Sequence, residues 1–470
     1  MKLNLRQFFK QYGVLILWLL VYSTLVVSAV DHIFFWDTVQ LASKHAHFFY
    51  EKGMNHVLLP DDIDSGHPPF FGWILAAAWR FFGKSLVVSH LMMLPWVWLM
   101  VICVYKLSEE IGDVKLAPWL ASLILIDPTL MAQASLISPD VLVVAGFVLC
   151  LYGIFRGQNT AVLLGSLLCG LTSNRGAMVV VAMMIWYAWM VYAKDKKITG
   201  LVKKLTPLMP SLLIFGMFQF YHYLNKGWIG YHTASPWAPS FEWVSLGQMV
   251  KNLGLLCWRM IDFGRWPVLV ILLYLLVAFR HSLLKNQRQK ELLVLGLSMG
   301  VILIPSMVVH AGLTGHRYLL PLIVVIYLLV GSLLGSSIKA KVIYVLMFIS
   351  LATGHWWRYP KGVAQGWDSS LAHWPYFGIW REMQNYMQQH NIPIEKVGTA
   401  FPNLAELRYL DLSNNKTKHT SRDLDKNDYF LYSNIYNEIS TKDDSLLHAR
   451  YMKIYSLQEN GISLILYKQK

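Results

Sequence analysis

Between Trp36 and Gly72 the chain gathers Asp37, Asp61, Asp62 and Asp64 together with His45, His47, His56 and His67, and the stretch closes on a double proline, Pro68 and Pro69. Asp37, beside Trp36, has the surroundings in which a carboxylate gains proton affinity and serves as a general base. The alternative is an N-cap, an Asp satisfying the free N–H groups of the helix that follows. Asp140, in LISPDVLVV, offers a second acid at the head of an apolar run, with Ser138 and Pro139 as signs that it too simply starts a helix. Asp127, in ILIDPTL, is its rival. Two such carboxylates suit one acceptor hydroxyl or one divalent metal bridged by Asp37 and Asp140. His45 and His47 are two apart, on different faces of a helix, so HAH is a weak metal signal.

The basic counterparts are Arg175 in GLTSNRGAMVV and His316 with Arg317 in TGHRYLLPL. Arginine at a membrane boundary snorkels to lipid phosphate or recognises a bound phosphate with its fork. With His67, these residues compose an anion site opposite the Asp37 base. Asp61, Asp62, Asp64, His45 and His47 are assigned to loop solvation. Trp36, Trp73 and Trp237 are candidates for stacking on a ligand ring or for anchoring at an interface.

Elements that position these groups must cross a membrane. The 470 residues are 55% hydrophobic and 14% charged, with a mean hydropathy of +0.42, too apolar for a soluble protein. The net charge of +14 is spread in small groups between apolar runs, which speaks for topology and against nucleic acid as a partner. The four cysteines form no CxxC and imply neither disulfide nor zinc. Runs near the roughly 20 residues a spanning helix needs fall at 12–31, 86–106, 116–132, 138–155, 160–173, 176–193, 207–224, 266–280, 291–310, 318–336 and 341–354, about eleven in all. The first reads as a retained signal anchor, and 69–83 as an interfacial helix opened by the prolines.

Lys and Arg occupy every second connection, beginning with Lys2, Arg6 and Lys10, which makes those connections cytoplasmic. The 32–85 loop, the heads of the helices at Asp140, Arg175 and Arg317, the 225–265 loop and everything after Thr353 then face outward together. The fold class expected is a mainly α polytopic membrane protein, residues 1–354 including the outer loop 32–85, followed by a small outward-facing α/β domain, 355–470. In that domain 378–391 reads as a helix and 396–401, 428–434 and 462–468 as strands.

An Asp just after the first span, then HPPFFGWILAAAWRFFGKSLVVSHL, SPDVLVVAGFVLCLYGI, GLTSNRGAMVVVAM and HRYLLPL, come in an order that resembles the GT-C class of membrane glycosyltransferases. The resemblance is to the dolichyl-phosphate-mannose protein mannosyltransferase-like group and the aminoarabinose transferase of lipid A, over about residues 10–335. It implies transfer of a sugar from a polyprenyl phosphate carrier to an acceptor hydroxyl of a protein, lipid or glycan on the outer face of a bacterial inner membrane. On it Asp37 and Asp140 correspond to the catalytic or metal-binding acids, and His67, Arg175, His316 and Arg317 to the carrier-phosphate side. Thr38 stands where many relatives have a second acid, and NRG replaces a TKG. The reading from another class is a transporter or lipid flippase, which would favour paired repeats and ionisable groups at mid-membrane. An envelope scaffold is a third, and it leaves the acidic first loop without a role.

Overall fold

The computed structural model describes residues 5–470 except 113, 196–197, 234, 236, 284, 361–362, 364 and 437–439. Lys2, one of the charges used to orient the chain, lies outside the described residues, as do Lys196 and Lys197.

Helices stand at every one of the eleven expected positions, but they differ in kind. Among the described residues, seven are long and apolar enough to cross a membrane: Leu86–Ile111, Pro139–Arg156, Asn174–Lys194, Gly200–Lys226, Gln287–Val309, His316–Leu334 and Ile338–Trp356. The pair Leu246–Ile261 and Trp266–Ala278, bent by 97°, makes an eighth if it crosses as one broken span. The helices Tyr12–Ser28, Phe70–Phe82 and Asn159–Thr172 are apolar and shorter. This is an integral membrane protein by the length and composition of its helices.

Two expectations change. The run 116–132 is not one helix: Ala117–Leu125 ends and Pro128–Ser135 begins afresh, with Asp127 between them as N-cap, its Oδ1 accepting from the N–H groups of Thr129 (3.0 Å) and Leu130 (3.1 Å). Pro128, which lacks an N–H, fits the first position of the new helix and cannot continue the old one. The expected loop 225–265 contains the helix Leu246–Ile261, capped by Ser245; its apolar stripe on one face had no continuous run to signal it.

Helices Pro139–Arg156 and Asn159–Thr172 pack closest where glycines permit it. A Cβ on Gly165 would lie 2.5 Å from the Gly146 carbonyl oxygen. Such close backbone approach is how helices gain contact where lipid supplies no hydrophobic drive between them.

Beyond the last long helix, five strands form one sheet in the order β2-β1-β3-β5-β4: β1 Val397–Thr399, β2 Thr420–Ser421, β3 Tyr429–Ser433, β4 Tyr451–Glu459 and β5 Ile462–Gln469. β1 pairs in parallel with β2 and β3, and β5 lies antiparallel between β3 and β4. Asn460 and Gly461, both at positive φ (44° and 78°), make the β4–β5 turn, the Asn-Gly pairing a tight hairpin favours. The helix Pro375–Gln389 covers β4 and β5, with Tyr386 stacked on Tyr455 at 3.8 Å. The strand Tyr451–Glu459 and the helix Thr441–Arg450 are not expected from the sequence; β4 is largely exposed and mixes apolar with polar side chains, so no apolar run marks it.

Candidate active site

Asp37 is delivered by a strained turn. Trp36 has φ 52°, rare for a bulky residue and a mark of functional or over-determined backbone. The surroundings hold it: the Phe34 N–H donates to the Leu410 carbonyl (2.8 Å), and the Thr38 hydroxyl accepts from the Phe35 N–H (2.9 Å) while donating to the Phe35 carbonyl (2.7 Å). The π-helix Val39–Lys44 that follows is entered through Thr38 without a side-chain cap. The Asp37 carboxylate turns instead to the guanidinium of Arg317.

Arg317 is the hub. It is 7% exposed, and each of its nitrogens faces a different carboxylate: Nη2 that of Asp37, Nη1 that of Asp140 at 3.6 Å and Nε that of Asp368 at 3.4 Å. Asp140 is free for this because Ser138, not Asp140, is the N-cap, its hydroxyl accepting the Asp140 N–H at 3.2 Å. Asp140 also meets Arg175 Nη1 at 3.5 Å. The Arg175 guanidinium lies 3.3 Å above the centre of the Tyr318 ring, whose hydroxyl accepts from Arg317 Nη2 at 3.2 Å, so Tyr318 holds both arginines.

Asp37, Asp140, Arg175, Arg317 and Tyr318 wall a cavity of about 180 Å³ that also takes in His67, Asn174, Trp237 and apolar side chains such as Leu41, Phe71 and Met178. His67 accepts the Asn174 N–H at Nδ1 (3.4 Å), which fits a neutral ring protonated at Nε2. Burial first, and Arg175 nearby second, push its pKa down to about 4. His67 therefore lines the cavity as a neutral hydrogen-bonding group.

His316 does not reach the cavity. It is fully buried and turned the other way, its Nε2 2.7 Å from Asp262, a carboxylate that also accepts from the Tyr359 hydroxyl. Side chains at successive positions of a helical turn diverge, so Arg317 and His316 face different neighbours. Asp127 is likewise elsewhere, bidentate with Arg265 at 2.7 Å and bonded to the Tyr327 hydroxyl at 2.7 Å. Of the two rivals, Asp140 is the one at the cavity.

The assignment of Asp64, His45 and His47 to loop solvation is also corrected. Asp64 is 2% exposed, 3.1 Å from His222 Nε2 and 2.5 Å from Lys226 Nζ. Burial opposes its charge, and the bonds from His222 and Lys226 outweigh it, holding the carboxyl below its ordinary value. This buried pairing ties the first loop to the helix Met209–Lys226. His45 and His47 are buried against Ile63 and Ser43 carbonyls at 3.0 and 2.9 Å. A side chain on Gly72 would collide with His45, which is how the helix Phe70–Phe82 seats beside them.

A bridging divalent metal does not fit the residues present. The space between Asp37 and Asp140 is spanned by the Arg317 guanidinium, and among the described residues no group of three or more His, Cys, Asp or Glu side chains is arranged to hold an ion.

Asp368 and Tyr318 escaped the sequence reading. Tyr318 adjoins Arg317 and was within reach of a closer look at HRYLLPL; Asp368, in GWDSS, carries no signal at all. It is brought in by the contacts of its neighbours, Gln133 Nε2 donating to the Asp368 carbonyl (2.7 Å) and the Thr129 hydroxyl to that of Ser369 (3.1 Å). Burial raises the Asp368 carboxyl above its ordinary value; Arg317 opposes that shift, and Asp37 and Asp140 add to it.

No family model matches the chain, and no curated protein matches it in sequence. Among solved structures, ArnT from Cupriavidus metallidurans bound to undecaprenyl phosphate is similar over 97% of this chain and 98% of its own, with a TM-score of 0.53 and 12% identity. The apo state of ArnT from the same organism covers the same shares at a TM-score of 0.50 and 12% identity. A looser match is the arabinofuranosyltransferase AftD from Mycobacteria, at a TM-score of 0.43 and 13% identity over 97% of this chain and 40% of that one. At such identities the shared property is the fold, which is that of the two ArnT structures.

Proposed function

We propose that this protein transfers a sugar from a polyprenyl-phosphate carrier to an acceptor hydroxyl, with Asp37 as the base. The observation that carries the reading is the convergence of Asp37 with Arg317 and Arg175 on one cavity, in a fold shared with a protein that binds undecaprenyl phosphate. The acceptor oxygen attacks the anomeric carbon, Asp37 takes its proton, and the bond to the carrier phosphate breaks with its electron pair passing to the phosphate oxygen. Arg317 and Arg175 receive that charge, the kind of preorganised stabilisation that dominates many group transfers.

Charge balance supports the arrangement. Of the three carboxylates around Arg317, Asp368 has its proton affinity raised by burial, which lessens the negative charge an arriving phosphate meets. The arriving phosphate then competes with Asp37 for Arg317, and the carboxylate it displaces becomes available as a base. Asp140, gripping both arginines, positions them. His67 contributes a neutral hydrogen bond, and the apolar wall at Leu41, Phe71 and Met178 faces the first isoprene units of the carrier. On this reading the site and the residues after 355 face outward from a bacterial inner membrane, with the N-terminus inside; labelling of engineered cysteines in intact cells tests that orientation.

The test is Asp37→Asn, which keeps size and removes basicity. Transfer from a radiolabelled polyprenyl-phosphate sugar in proteoliposomes is expected to fall by about 10²–10⁴, the range of a lost general base, with the protein still inserted. A wild-type rate in this variant overturns the mechanism. Comparison of envelope glycans and glycoproteins between a deletion strain and its parent by mass spectrometry names the sugar and acceptor.

A further inference from the structure

A second cavity lies away from the Arg317 cluster, between the helix Pro375–Gln389 and the loop that runs from Leu407 to Thr417. At about 690 Å³ it is within the roughly 300–1,000 Å³ typical of ligand sites. Its lining is unusual in kind. Trp380, Gln384 and Gln388 recur every four residues and so share one helix face, with Asn385 beside them, and Asn415 and Thr417 stand on the opposite wall. Three of the lining residues hold a buried polar atom without a hydrogen-bond partner: Trp380 at Nε1, Gln384 at Nε2 and Thr417 at Oγ1. Trp380 itself is only 5% exposed. Orphaned buried donors are costly and rare, and several in one groove point to a ligand that satisfies them.

The chemistry of that ligand follows from the lining. Arg381, the one basic residue there, is taken by Asp31 (Nη2 to Oδ2, 2.8 Å), and Glu395 and Asp411 add negative charge. An anion finds no free cation among these side chains. What remains is side-chain amides, a hydroxyl and an indole N–H, groups that match vicinal hydroxyls, each both donor and acceptor. The opposite wall is prebuilt: the Asp411, Ser413 and Asn415 side chains accept from the N–H groups of Ser413, Asn415 and Thr417 in succession, at 2.8, 3.2 and 2.9 Å. We propose that this groove binds a neutral saccharide.

The groove is coupled to the segment that carries Asp37. The helix Leu407–Leu410, part of the groove wall, packs on Val39–Lys44, and the Leu410 carbonyl accepts the Phe34 N–H. The groove is thus placed to hold the sugar chain of a glycan acceptor. That role rests on the transferase reading, whereas the binding does not.

The experiment uses the full-length protein in lipid nanodiscs on a glycan array of neutral oligosaccharides built from hexoses, pentoses and deoxyhexoses, with phosphorylated and uronic members and unrelated peptides as comparators. Neutral oligosaccharides are expected to be retained. The Gln384→Ala/Asn385→Ala double variant is expected to bind them about tenfold more weakly, two neutral hydrogen bonds being lost. Trp380→Phe, which keeps an apolar ring and removes the donor, is expected to weaken them severalfold; should it unfold, the double variant, altered on the helix surface, carries the test. Asp37→Asn is expected to bind as wild type, so failure of the groove and failure of the transferase mechanism are separable. No retention of neutral glycans, retention of anionic glycans or peptides alone, or unchanged binding by the double variant overturns the proposal.

Discussion

Replacing Arg317 by lysine keeps the charge and removes the fork. In the native site three nitrogens address three carboxylates at once, Asp37 from Nη2, Asp140 from Nη1 at 3.6 Å and Asp368 from Nε at 3.4 Å. An ammonium is a point charge that can sit against Asp37 or between two of them, but it cannot serve all three. A bond to a charged group is worth roughly 1.5–3 kcal/mol, and the two longer contacts, ion pairs without a hydrogen bond, are each worth less. Forfeiting both costs on the order of 1–2 kcal/mol of stability. The catalytic loss is separate: removing one donor to a developing oxyanion typically lowers kcat by about 10²–10³. Arg317→Lys in proteoliposomes should therefore show both a lower melting temperature and a transfer rate reduced by that factor. Adding Asp368→Asn should restore much of the stability, since it removes a carboxylate that burial already disfavours, without restoring the rate. A lysine variant that transfers at the wild-type rate with an unchanged melting point would refute the hub.

Further outcomes follow from the buried groups around the first loop. Asp64→Asn should lower stability by about 2 kcal/mol, less than the roughly 3–5 kcal/mol of a fully broken buried pair, because Lys226 keeps Asp61 at 2.8 Å and the Leu59 carbonyl; thermal unfolding in nanodiscs reads it, and no change would mean the pairing is not formed. Burial holds His45, His47 and His67 at a pKa of about 4 against an ordinary 6.5. The unfolded chain takes up those protons first, so stability should be full above about pH 6.5 and fall as pH drops toward 4. His47→Gln should flatten that slope; an identical melting-temperature profile between pH 7.5 and 4.5 would contradict the burial. With His67 neutral, carrier-phosphate affinity should not track a histidine titration near pH 6.5, which titration with polyprenyl phosphate at several pH values checks.

The membrane class, the positions of most apolar helices and the cavity residues Asp37, Asp140, His67, Arg175 and Arg317 were legible in the sequence, because insertion into lipid imposes long apolar runs and leaves charged groups conspicuous at their ends. Local spacing, however, carries no record of partners far along the chain. Asp127 and Asp140 look alike, each preceding an apolar stretch beside a proline, yet one is locked to Arg265 and the other opens on the cavity. Asp64 looks like a solvated loop acid until His222, far along the chain, packs against it. His316 and Arg317 are neighbours whose side chains part because a helical turn sends them to different faces. Asp368 has no local mark, since what sets it apart is burial beside Arg317, a contact between the start of the helix His316–Leu334 and the stretch that follows Ile338–Trp356. The sequence by itself determined that this chain lives in a membrane with acids and arginines at the ends of its helices. Only the tertiary structure decided which of them meet, because a charge buried in low dielectric is tolerated solely where its partner is brought to it.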